Sequence, residues 1–470
     1  MDSFPDNLSP LSNPSSITGE NANIILGGGL AGLSAGYVLT KAGLNVKVFE
    51  SDAAVGGLSK TILKGGFRFD LGGHRFFTQN EKINKFVIDL MNGELLSVNR
   101  TSKIFMRNKF FDYPLKPFNA MFGLGVATTL KIVTDYGAEK IKRFTKEDDD
   151  ISLEDWVVSN FGRTMFNLYF KEYSEKVWGV ECNKISKEWV AQRIKGLSLW
   201  VAIKNAFFKF SGQKVDTLVD KFLYPPMGIG QISDKLKEGI EKGNSVFTNT
   251  RVAQVRHEGF VVKSLNAKNC DQIYDVEGSE FISSIPLTNL IRMLTPLPPQ
   301  DILKAASQLK YRDFVVVTVM LNRERVTDLT WLYLPEQDIL LGRIHEPKNW
   351  SPHMAPEGKT HIVSEYFCSE GDKLWNLSDE ELTSITVEHL GRLGFTKKDE
   401  VIDSCIVRVP NAYPIFEVGY EGHYNKILNY LQNFKNLHII GRSGMFRYYN
   451  MDHTIECGIE MAEKIIKNSK

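Results

Sequence analysis

Residues 23–50 have the sequence NIILGGGLAGLSAGYVLTKAGLNVKVFE, and this stretch decides the fold. A short apolar strand leads into Gly27-x-Gly29-x-x-Gly32, a helical pattern follows, and a second apolar strand ends at Glu50. This order predicts a βαβ unit that opens on a dinucleotide-binding fingerprint. The first glycine permits a tight turn, the second a close approach to a pyrophosphate, and the third close packing of the helix on the strand.

The ends of this unit suit the two parts of a nucleotide. The N–H groups at the start of the helix, around Leu30 and Ala31, are oriented towards a phosphate. Glu50 is placed to accept hydrogen bonds from an adenosine ribose. Glycines in an ordinary loop are the alternative, but strand, helix, second strand and acid all have the offsets of a dinucleotide site.

A second glycine pair favours FAD over NAD. Gly56 and Gly57 lie just after the acid in ESDAAVGGLSKT, and GGFRFDLGGHRFF follows at 65–77. Such a pair lets the chain run beside the isoalloxazine side of a flavin, which a plain NAD dehydrogenase does not need. A hairpin with glycine turns is the alternative interpretation. No second GxGxxG is present for a nicotinamide nucleotide.

Composition sets limits on the class of protein. The 470 residues are 43% hydrophobic and 24% charged, which is ordinary for a globular chain of two or three units. The net charge of +1 argues against a nucleic-acid or membrane-surface role, and no apolar run approaches the ~20 residues of a membrane span. The five scattered cysteines favour a reducing compartment, which predicts a cytoplasmic location, and indicate no metal site.

The order of patterns along the chain predicts interleaved domains. Residues 1–20 are rich in Ser, Asn and Pro and are expected to form a disordered tail. The predicted class is α/β, with a Rossmann-like FAD-binding domain, an inserted helical domain and a mainly antiparallel sheet for the substrate. The boundaries assign 21–100, 222–260 and 436–470 to the FAD-binding domain, 101–221 to the helical insertion and 261–435 to the sheet domain.

Two local patterns add to this outline. Ser152, with Asp155 three residues later, predicts the N-cap of a helix. His74 directly follows two glycines, whose missing side chains would let it reach a ligand. A packed or solvated histidine is the alternative for that residue alone.

From residue 22 to about 465 the chain resembles the UDP-galactopyranose mutases, and more closely those of eukaryotes. The first eighty residues also resemble the wider amine oxidase and protoporphyrinogen oxidase superfamily. The resemblance to the mutases rests on separate motifs that occur in the right order: FDLGGHRFF, DYPLKPF, EYSEKVWG, AQRI, FLYPPMGIG, WLYLP, GRIHE, NAYP and GRSGMFRYYNMDHT.

The resemblance implies roles for residues in these motifs. Arg193 and Arg343 match arginines that clamp a diphosphate, His74 and Arg442 match residues beside the flavin, and Gly228 and Gly230 match a turn that lines it. The implied cofactor contacts are Gly27, Gly29, Leu30, Ala31, Gly32, Glu50, Gly57, Leu58, Gly73, His74, Val252, Gly441, Arg442, Asn450 and Met451. The implied substrate contacts are Tyr113, Tyr169, Tyr173, Trp178, Arg193, Trp331, Tyr333, Arg343, Tyr413, Tyr448 and Asn450.

The implied activity is the interconversion of UDP-galactopyranose, or a related nucleotide sugar, with its furanose form. It would proceed through an adduct between the sugar and N5 of reduced FAD, with NAD(P)H as the expected reductant, in the biosynthesis of cell-surface polysaccharides. The family's substrate-binding asparagine has no counterpart near Val219, and the segment between Arg343 and Tyr366 is short, which leaves the sugar and the base open.

Two other functions stay open at the level of sequence. A true oxidoreductase of the amine oxidase and protoporphyrinogen oxidase type would transfer hydride to FAD, and it predicts an apolar cavity without paired arginines. A flavin-bound assembly protein without catalysis is the third. The sequence predicts a nucleotide-sugar substrate and no nucleic acid or membrane partner, and it leaves a homo-oligomer open.

Overall fold

The computed structural model describes residues 21–113, 126–143, 151–189 and 221–469. The predicted tail at 1–20, Arg193 and Val219 lie outside these ranges. Within the ranges, the elements form a mixed α/β structure that confirms the predicted fold class.

A parallel sheet of five strands forms the nucleotide-binding end. Its centre is Asn23–Leu26, an entirely buried apolar strand that pairs with a parallel neighbour on each side. Burial on both faces explains why this strand is continuously apolar instead of alternating. The spatial order is Leu437–Ile439, Glu280–Ser283, Asn23–Leu26, Val46–Phe49 and Ser245–Phe247.

Three helices pack around this sheet: Leu30–Lys41, Gln231–Ile240 and Met451–Asn468. The first and last approach each other closely, because a Cβ on Gly458 would lie 2.3 Å from the carbonyl oxygen of Ala31. The C-terminal helix therefore packs directly on the helix that starts at the fingerprint.

A sheet of four strands adjoins the nucleotide-binding end. Its three long strands are antiparallel, and the short fourth strand is parallel to its neighbour. The spatial order is Gln272–Glu277, Val261–Asn269, Thr250–Glu258 and Leu294–Thr295.

A sheet of seven strands carries five of the candidate substrate residues: Tyr113, Trp331, Tyr333, Arg343 and Tyr413. It is antiparallel except where Trp331–Tyr333 pairs in parallel with Ser102–Met106. Helix Asp379–Arg392 covers one face, and Phe67 and Phe69 pack on the other. The spatial order is Val401–Ile415, Lys310–Leu321, Thr360–Cys368, Arg343–His345, Trp331–Tyr333, Ser102–Met106 and Lys109–Tyr113.

Strand pairing differs from the predicted domain boundaries at two places. Glu280–Ser283 was assigned to the antiparallel-sheet domain, but it pairs with Asn23–Leu26 in the parallel sheet. Ser102–Met106 and Lys109–Tyr113 were assigned to the helical insertion, but they complete the seven-stranded sheet. Both boundaries were wrong at these strands, because pairing between distant segments leaves no mark in the local pattern.

The described part of the helical insertion begins with Val126–Arg143. Helix Leu153–Phe161 follows, and Ser152 caps it in a capping box with Asp155, as the sequence predicts. A three-residue turn at Arg163–Met165, a π-helical turn at Phe166–Phe170 and helix Lys171–Trp178 complete this region.

The remaining elements connect these layers. The other helices are Glu81–Leu90, Leu287–Met293, Gln300–Gln308, Tyr420–Leu431 and the short Gly441–Gly444. Two small antiparallel pairs join Thr61–Lys64 to Phe67–Asp70 and Leu96–Asn99 to Lys221–Tyr224. In the parts of the chain that the structure describes, no helix has the length and apolar character needed to cross a membrane.

Candidate active site

The three fingerprint glycines differ in what surrounds them. Gly27 has a positive φ of 99°, and a Cβ on Gly32 would lie 2.1 Å from the carbonyl oxygen of Gly27. These two glycines are therefore required by the protein's own backbone. Gly29, in contrast, has no atom within 4 Å of the position of a Cβ, so the space above it is open. That open space, at the N-terminus of Leu30–Lys41, is where a bound diphosphate would lie.

Glu50 lies under the same loop. Its Oε2 accepts the N–H of Gly28 at 2.8 Å, and its Oε1 accepts the N–H of Asp52 at 2.9 Å. The hydroxyl of Ser51 also donates to Oε1, at 3.1 Å, so it is Oε2 that has a second lone pair with which to accept from a ribose hydroxyl. Val252 lies in a strand whose first residue, Thr250, donates its N–H to the backbone of Glu50.

Two other glycines close the cofactor end. Gly57 lies against the fingerprint, where its Cβ would be 3.5 Å from the Cα of Gly29, and Leu58 follows it in a short helical turn. Gly441 has a φ of 74°, and a Cβ there would lie 2.7 Å from the Cβ of Ala31. These contacts bring the Gly56–Gly57 pair and the C-terminal segment to the fingerprint.

The C-terminal helix begins beside this region. Asn450 is its N-cap, yet its side chain makes no capping bond, and Met451 is the first helical residue. The side chain of Asn450 is exposed, and a helix N-terminus favours an anion. Both residues stay predicted cofactor contacts, at the start of a helix that packs on Leu30–Lys41.

A buried carboxylate anchors the glycine turn that the sequence assigned to the flavin. Asp70 accepts the hydroxyls of Thr61 and Tyr224 at 2.6 and 2.5 Å and the N–H of Ile229 at 3.2 Å. The hydroxyl of Thr61 also accepts the N–H of Gly230 at 2.9 Å. Burial raises the pKa of Asp70 to about 6 against the effect of these hydrogen bonds.

His74 lies at the junction between the cofactor end and the seven-stranded sheet. Its Nδ1 is buried and has no hydrogen-bond partner among the described residues. Burial lowers the pKa of His74 to about 3, and the positive charges of Arg343 and Arg442 act in the same direction. The imidazole is therefore neutral at pH 7, with a ring nitrogen available to a ligand.

Arg343 is held by a carboxylate that the sequence analysis did not single out. Its Nε and Nη2 donate to Oε1 and Oε2 of Glu365 at 2.8 and 2.5 Å, and Glu365 is fully buried. Gly73 donates its N–H to the same carboxylate at 3.2 Å. Glu365 thus occupies the edge of the guanidinium formed by Nε and Nη2. The edge formed by Nη1 and Nη2 remains available to a ligand.

Arg442 lies against two tyrosine rings. Its guanidinium carbon is 4.2 Å from the ring centre of Tyr448 and 5.1 Å from that of Tyr413. The two rings are nearly parallel, with centres 6.2 Å apart, and Trp178 packs edge-on against both. The Nε of Arg442 is buried and has no partner among the described residues.

A second group of aromatic residues surrounds Tyr333. Its ring centre lies 4.9 Å from that of Tyr113 and 5.8 Å from that of Tyr173. Trp331, two residues earlier on the same strand, packs on Phe222 at 5.6 Å. This group gathers residues from four segments that are distant in sequence.

Arg343 interacts electrostatically with tyrosines of both groups, Tyr413 and Tyr173. We call the whole set the arginine–tyrosine wall: Arg343, Arg442, Tyr113, Tyr173, Tyr333, Tyr413 and Tyr448. Tyr169 is set apart in the π-helical turn, where burial raises its pKa to about 12 and its hydroxyl has no partner among the described residues.

Sequence reasoning missed two charged residues near the wall, Glu365 and Arg75. Glu365 is the one acid in the buried strand Thr360–Cys368, and a buried carboxylate requires a partner. That signal was available in THIVSEYFC. Arg75 directly follows His74, and its guanidinium carbon lies 4.9 Å from the ring centre of Trp331.

Comparison with known proteins agrees with this geometry. The model of the family described as flavin-containing amine oxidoreductase matches residues 30–466. The chain belongs to this family. Its cofactor is accordingly FAD, and the open space above Gly29, Glu50 and the unpartnered His74 nitrogen fit that cofactor. The protein is thus a flavoenzyme of the amine oxidoreductase family.

Similar individual proteins have different names. Coproporphyrinogen III oxidase of Bacillus subtilis is 22% identical over 441 residues, which are 86% of this chain and 89% of that protein. A crystal structure of reduced UDP-galactopyranose mutase has a TM-score of 0.82 at 21% identity and covers 95% of this chain and 96% of its own. Putrescine oxidase has a TM-score of 0.66 at 16% identity, with 96% and 100% covered. At these identities, the structures establish the fold of this family member and not its reaction.

Proposed function

We propose that this flavoenzyme is a nucleotide-sugar mutase that interconverts UDP-galactopyranose, or a related nucleotide sugar, and its furanose form. The observation that carries the proposal is the arginine–tyrosine wall beside His74. Arg343 and Arg442 are both close enough to lower the pKa of that histidine. A site of this charge attracts an anion and repels a protonated amine.

The two arginines contribute differently. Arg343 is neutralised by Glu365, so it offers oriented N–H groups with little net charge. Arg442 has no carboxylate partner among the described residues, and its guanidinium makes cation–π contacts with the rings of Tyr413 and Tyr448. In this proposal, Arg442 supplies the charge that attracts the diphosphate, and Arg343 supplies a fixed pair of donors. Arg193 is a third donor that the sequence analysis suggests.

The tyrosines of the wall suit a diphosphate as hydrogen-bond donors. Burial raises the pKa of Tyr413 to about 12, so its hydroxyl stays protonated at neutral pH. The rings also exclude water from the anion, which strengthens each charge-assisted hydrogen bond. Departure of UDP from the sugar would be favoured by such donors, because negative charge builds up on the phosphate.

FAD supplies, when bound and reduced, a nucleophilic nitrogen or a hydride. Gly27, Gly29, Gly32 and Glu50 would hold its nucleotide end. Neutral His74 would donate or accept one hydrogen bond at its buried Nδ1 without adding charge. NAD(P)H as the reductant is part of the same proposal, as are a cytoplasmic location and the possibility of a homo-oligomer.

The decisive experiment incubates the dithionite-reduced protein with a panel of UDP-, GDP- and dTDP-hexoses and separates pyranose from furanose products. We expect ring contraction of at least one nucleotide sugar with reduced flavin, none with oxidised flavin, and no net consumption of reductant. Stoichiometric NAD(P)H oxidation, or peroxide formed in step with substrate turnover, would contradict a mutase.

One observation favours a second candidate, an oxidase of an anionic substrate. The similarity to Bacillus subtilis coproporphyrinogen III oxidase extends over most of both chains. Arginines would bind the carboxylates of such a substrate as well as they bind phosphates. Oxygen consumption with coproporphyrinogen III, and no furanose product from any nucleotide sugar, would support this alternative.

A further inference from the structure

We propose that Arg75 is a binding site for an oxyanion of the substrate, a phosphate or a carboxylate, next to the arginine–tyrosine wall and in addition to Arg442. The inference rests on the proposed function only in taking the substrate to be anionic. It concerns a residue that the resemblance to the mutases does not assign to the substrate.

Arg75 is held by aromatic faces instead of by acids. Its guanidinium carbon lies 4.9 Å above the ring centre of Trp331 and 6.0 Å from that of Phe222. Within the described ranges, no side-chain or carbonyl oxygen accepts a hydrogen bond from its guanidinium, which has five N–H groups. Stacking fixes the plane of the guanidinium and leaves its edges available.

The aromatic platform under Arg75 is rigid. Trp331 packs on Phe222 and on Trp350, with ring centres 5.6 and 5.3 Å away. The indole N–H of Trp350 donates to the carbonyl of Thr330 at 3.0 Å. Trp331 itself lies in the seven-stranded sheet, two residues before Tyr333. The position of the cation is therefore set by the sheet and not by a mobile loop.

Arg75 also lies in a region with an excess of positive charge. Burial lowers its pKa to about 10, and the charges of Arg100 and Arg343 act in the same direction. Arg100 donates to the hydroxyl of Ser102, at 3.2 Å, and to no carboxylate among the described residues; its guanidinium carbon lies 4.9 Å from the ring centre of Tyr113. An oxyanion bound between these cations would remove their mutual repulsion.

Arg343 is less suited than Arg75 to bind the anion by its charge. Its charge is balanced by the fully buried Glu365, which also occupies one bidentate edge. Arg75 has no such partner among the described residues, so its whole charge remains for a ligand. We therefore infer stronger anion binding at Arg75 than at Arg343, and a positioning role for Arg343.

The test uses the FAD-loaded protein and isothermal titration calorimetry with three probes: inorganic pyrophosphate, UDP and succinate. Arg75→Met retains an unbranched side chain over Trp331 but removes the charge and the donors. We expect Arg75→Met to weaken the probes that the wild type binds by about ten- to hundredfold. Arg251→Met is the matched control, because Arg251 is an exposed arginine on the four-stranded sheet. It should bind the probes like the wild type.

The pattern among the probes identifies the oxyanion. Weakening of pyrophosphate and UDP alone indicates a phosphate group, and weakening of succinate alone indicates a carboxylate substrate; both results support the proposal. It is overturned if the wild type binds none of the three, or if Arg75→Met binds them unchanged. Should Arg75→Met fail to retain FAD, Arg75→Lys decides: it keeps a charge but not two parallel donors, and wild-type affinity for every probe would contradict us.

The assay of ring contraction separates this inference from the proposed function. If no nucleotide sugar is contracted but Arg75→Met still loses anion binding, the mutase proposal fails and the anion site remains. If contraction occurs and Arg75→Met neither slows it nor weakens UDP, the mutase stands and the Arg75 inference fails.

Discussion

The nucleotide-binding end and the arginine–tyrosine wall meet at His74, but the chain builds them in different ways. The first is formed largely by one continuous stretch, from Asn23 to Gly57, in which Gly32 is required by its contact with Gly27 and Gly29 leaves space for the ligand. The second gathers side chains from helix Lys171–Trp178, four strands, the short helix Gly441–Gly444 and the loop after it. A contiguous motif reveals its geometry in sequence, whereas a composite surface reveals only the types of its residues.

The largest expected effect tests the first region by comparing two of its glycines. Gly29→Val should abolish FAD binding but leave the apoprotein folded, because a Cβ there meets only open space. Gly32→Val should lose both the flavin and the fold, since its Cβ would meet the carbonyl of Gly27 at 2.1 Å. Flavin absorbance of the purified proteins and circular dichroism check this. A yellow Gly29→Val protein would contradict the diphosphate site.

The next effect tests the wall through the buried pair of Arg343 and Glu365. Arg343→Met leaves a buried carboxylate without its partner, which should cost about 3–5 kcal/mol in the free energy of unfolding. The double variant Arg343→Met with Glu365→Gln should recover most of that loss. Both variants should bind UDP about ten- to hundredfold more weakly than the wild type.

Urea unfolding and calorimetric titration with UDP make these measurements. Arg256→Met is the control, because Arg256 pairs with Asp275 at 3.6 Å on the surface, where both side chains are about half exposed. Its effect should stay below about 1 kcal/mol. If Arg343→Met alone is as stable as the wild type, the burial of the Glu365 carboxylate does not depend on Arg343.

Sequence could predict the nucleotide-binding end almost completely. Gly27, Gly29, Gly32 and Glu50 lie at fixed offsets; those of Gly27, Gly32 and Glu50 correspond to contacts made within about thirty residues, and that of Gly29 to the open space for the ligand. The family and its flavin follow from that stretch. The fold class was also predictable, because the period of the apolar pattern changes from helical to strand-like along the chain.

Sequence could not predict which partners the wall residues have. Arg343 and Glu365 lie opposite each other on neighbouring antiparallel strands, and that register comes from the whole sheet. The pairing changes the role of Arg343 from a free cation to a neutralised donor. The unbalanced charge of Arg75 depends in the same way on the sheet that positions Trp331.

A smaller effect concerns pH and the sheet that supports the wall. His361 is fully buried, and burial lowers its pKa from 6.5 to about 3 against the opposing effect of the backbone of Arg68. Below about pH 6.5, His361 therefore binds a proton in the unfolded chain, whereas in the folded chain it stays neutral until the pH approaches 3. This contribution to stability is present above pH 6.5 and is lost as the pH falls towards 3.

His361→Phe should remove that contribution and fill the space beside Phe67 and Phe69. Between pH 6 and 4, the free energy of unfolding of the variant should change with pH less steeply than that of the wild type. The two slopes should differ by about 1.4 kcal/mol per pH unit. His74 is shifted in the same direction and Asp70 in the opposite one, so the difference between variant and wild type is the quantity to measure. An unchanged slope, as expected of the exposed control His353→Gln, would contradict the assignment.

The smallest effect isolates one ring of the wall. Tyr448→Leu removes the aromatic face that lies 4.2 Å from the guanidinium of Arg442, whereas Tyr448→Phe keeps it. The leucine variant should bind UDP about fivefold more weakly than the phenylalanine variant, which corresponds to about 1 kcal/mol of cation–π stabilisation. Equal affinities in calorimetric titrations would mean that the ring does not hold Arg442 for the substrate.

The strand order of the parallel sheet has a consequence for biosynthesis. Strand Asn23–Leu26 pairs with Glu280–Ser283, which pairs in turn with Leu437–Ile439. A ribosome adding about 5–20 residues per second leaves roughly 20 to 80 seconds between the emergence of the first strand and that of the last. During this time the parallel sheet of the nascent chain has an unpaired edge strand, which can pair with strands of other chains. Because Gly441 contacts Ala31, the flavin site is complete only after this interval, and cells that overproduce the protein should gain soluble holoenzyme from slower synthesis and added riboflavin.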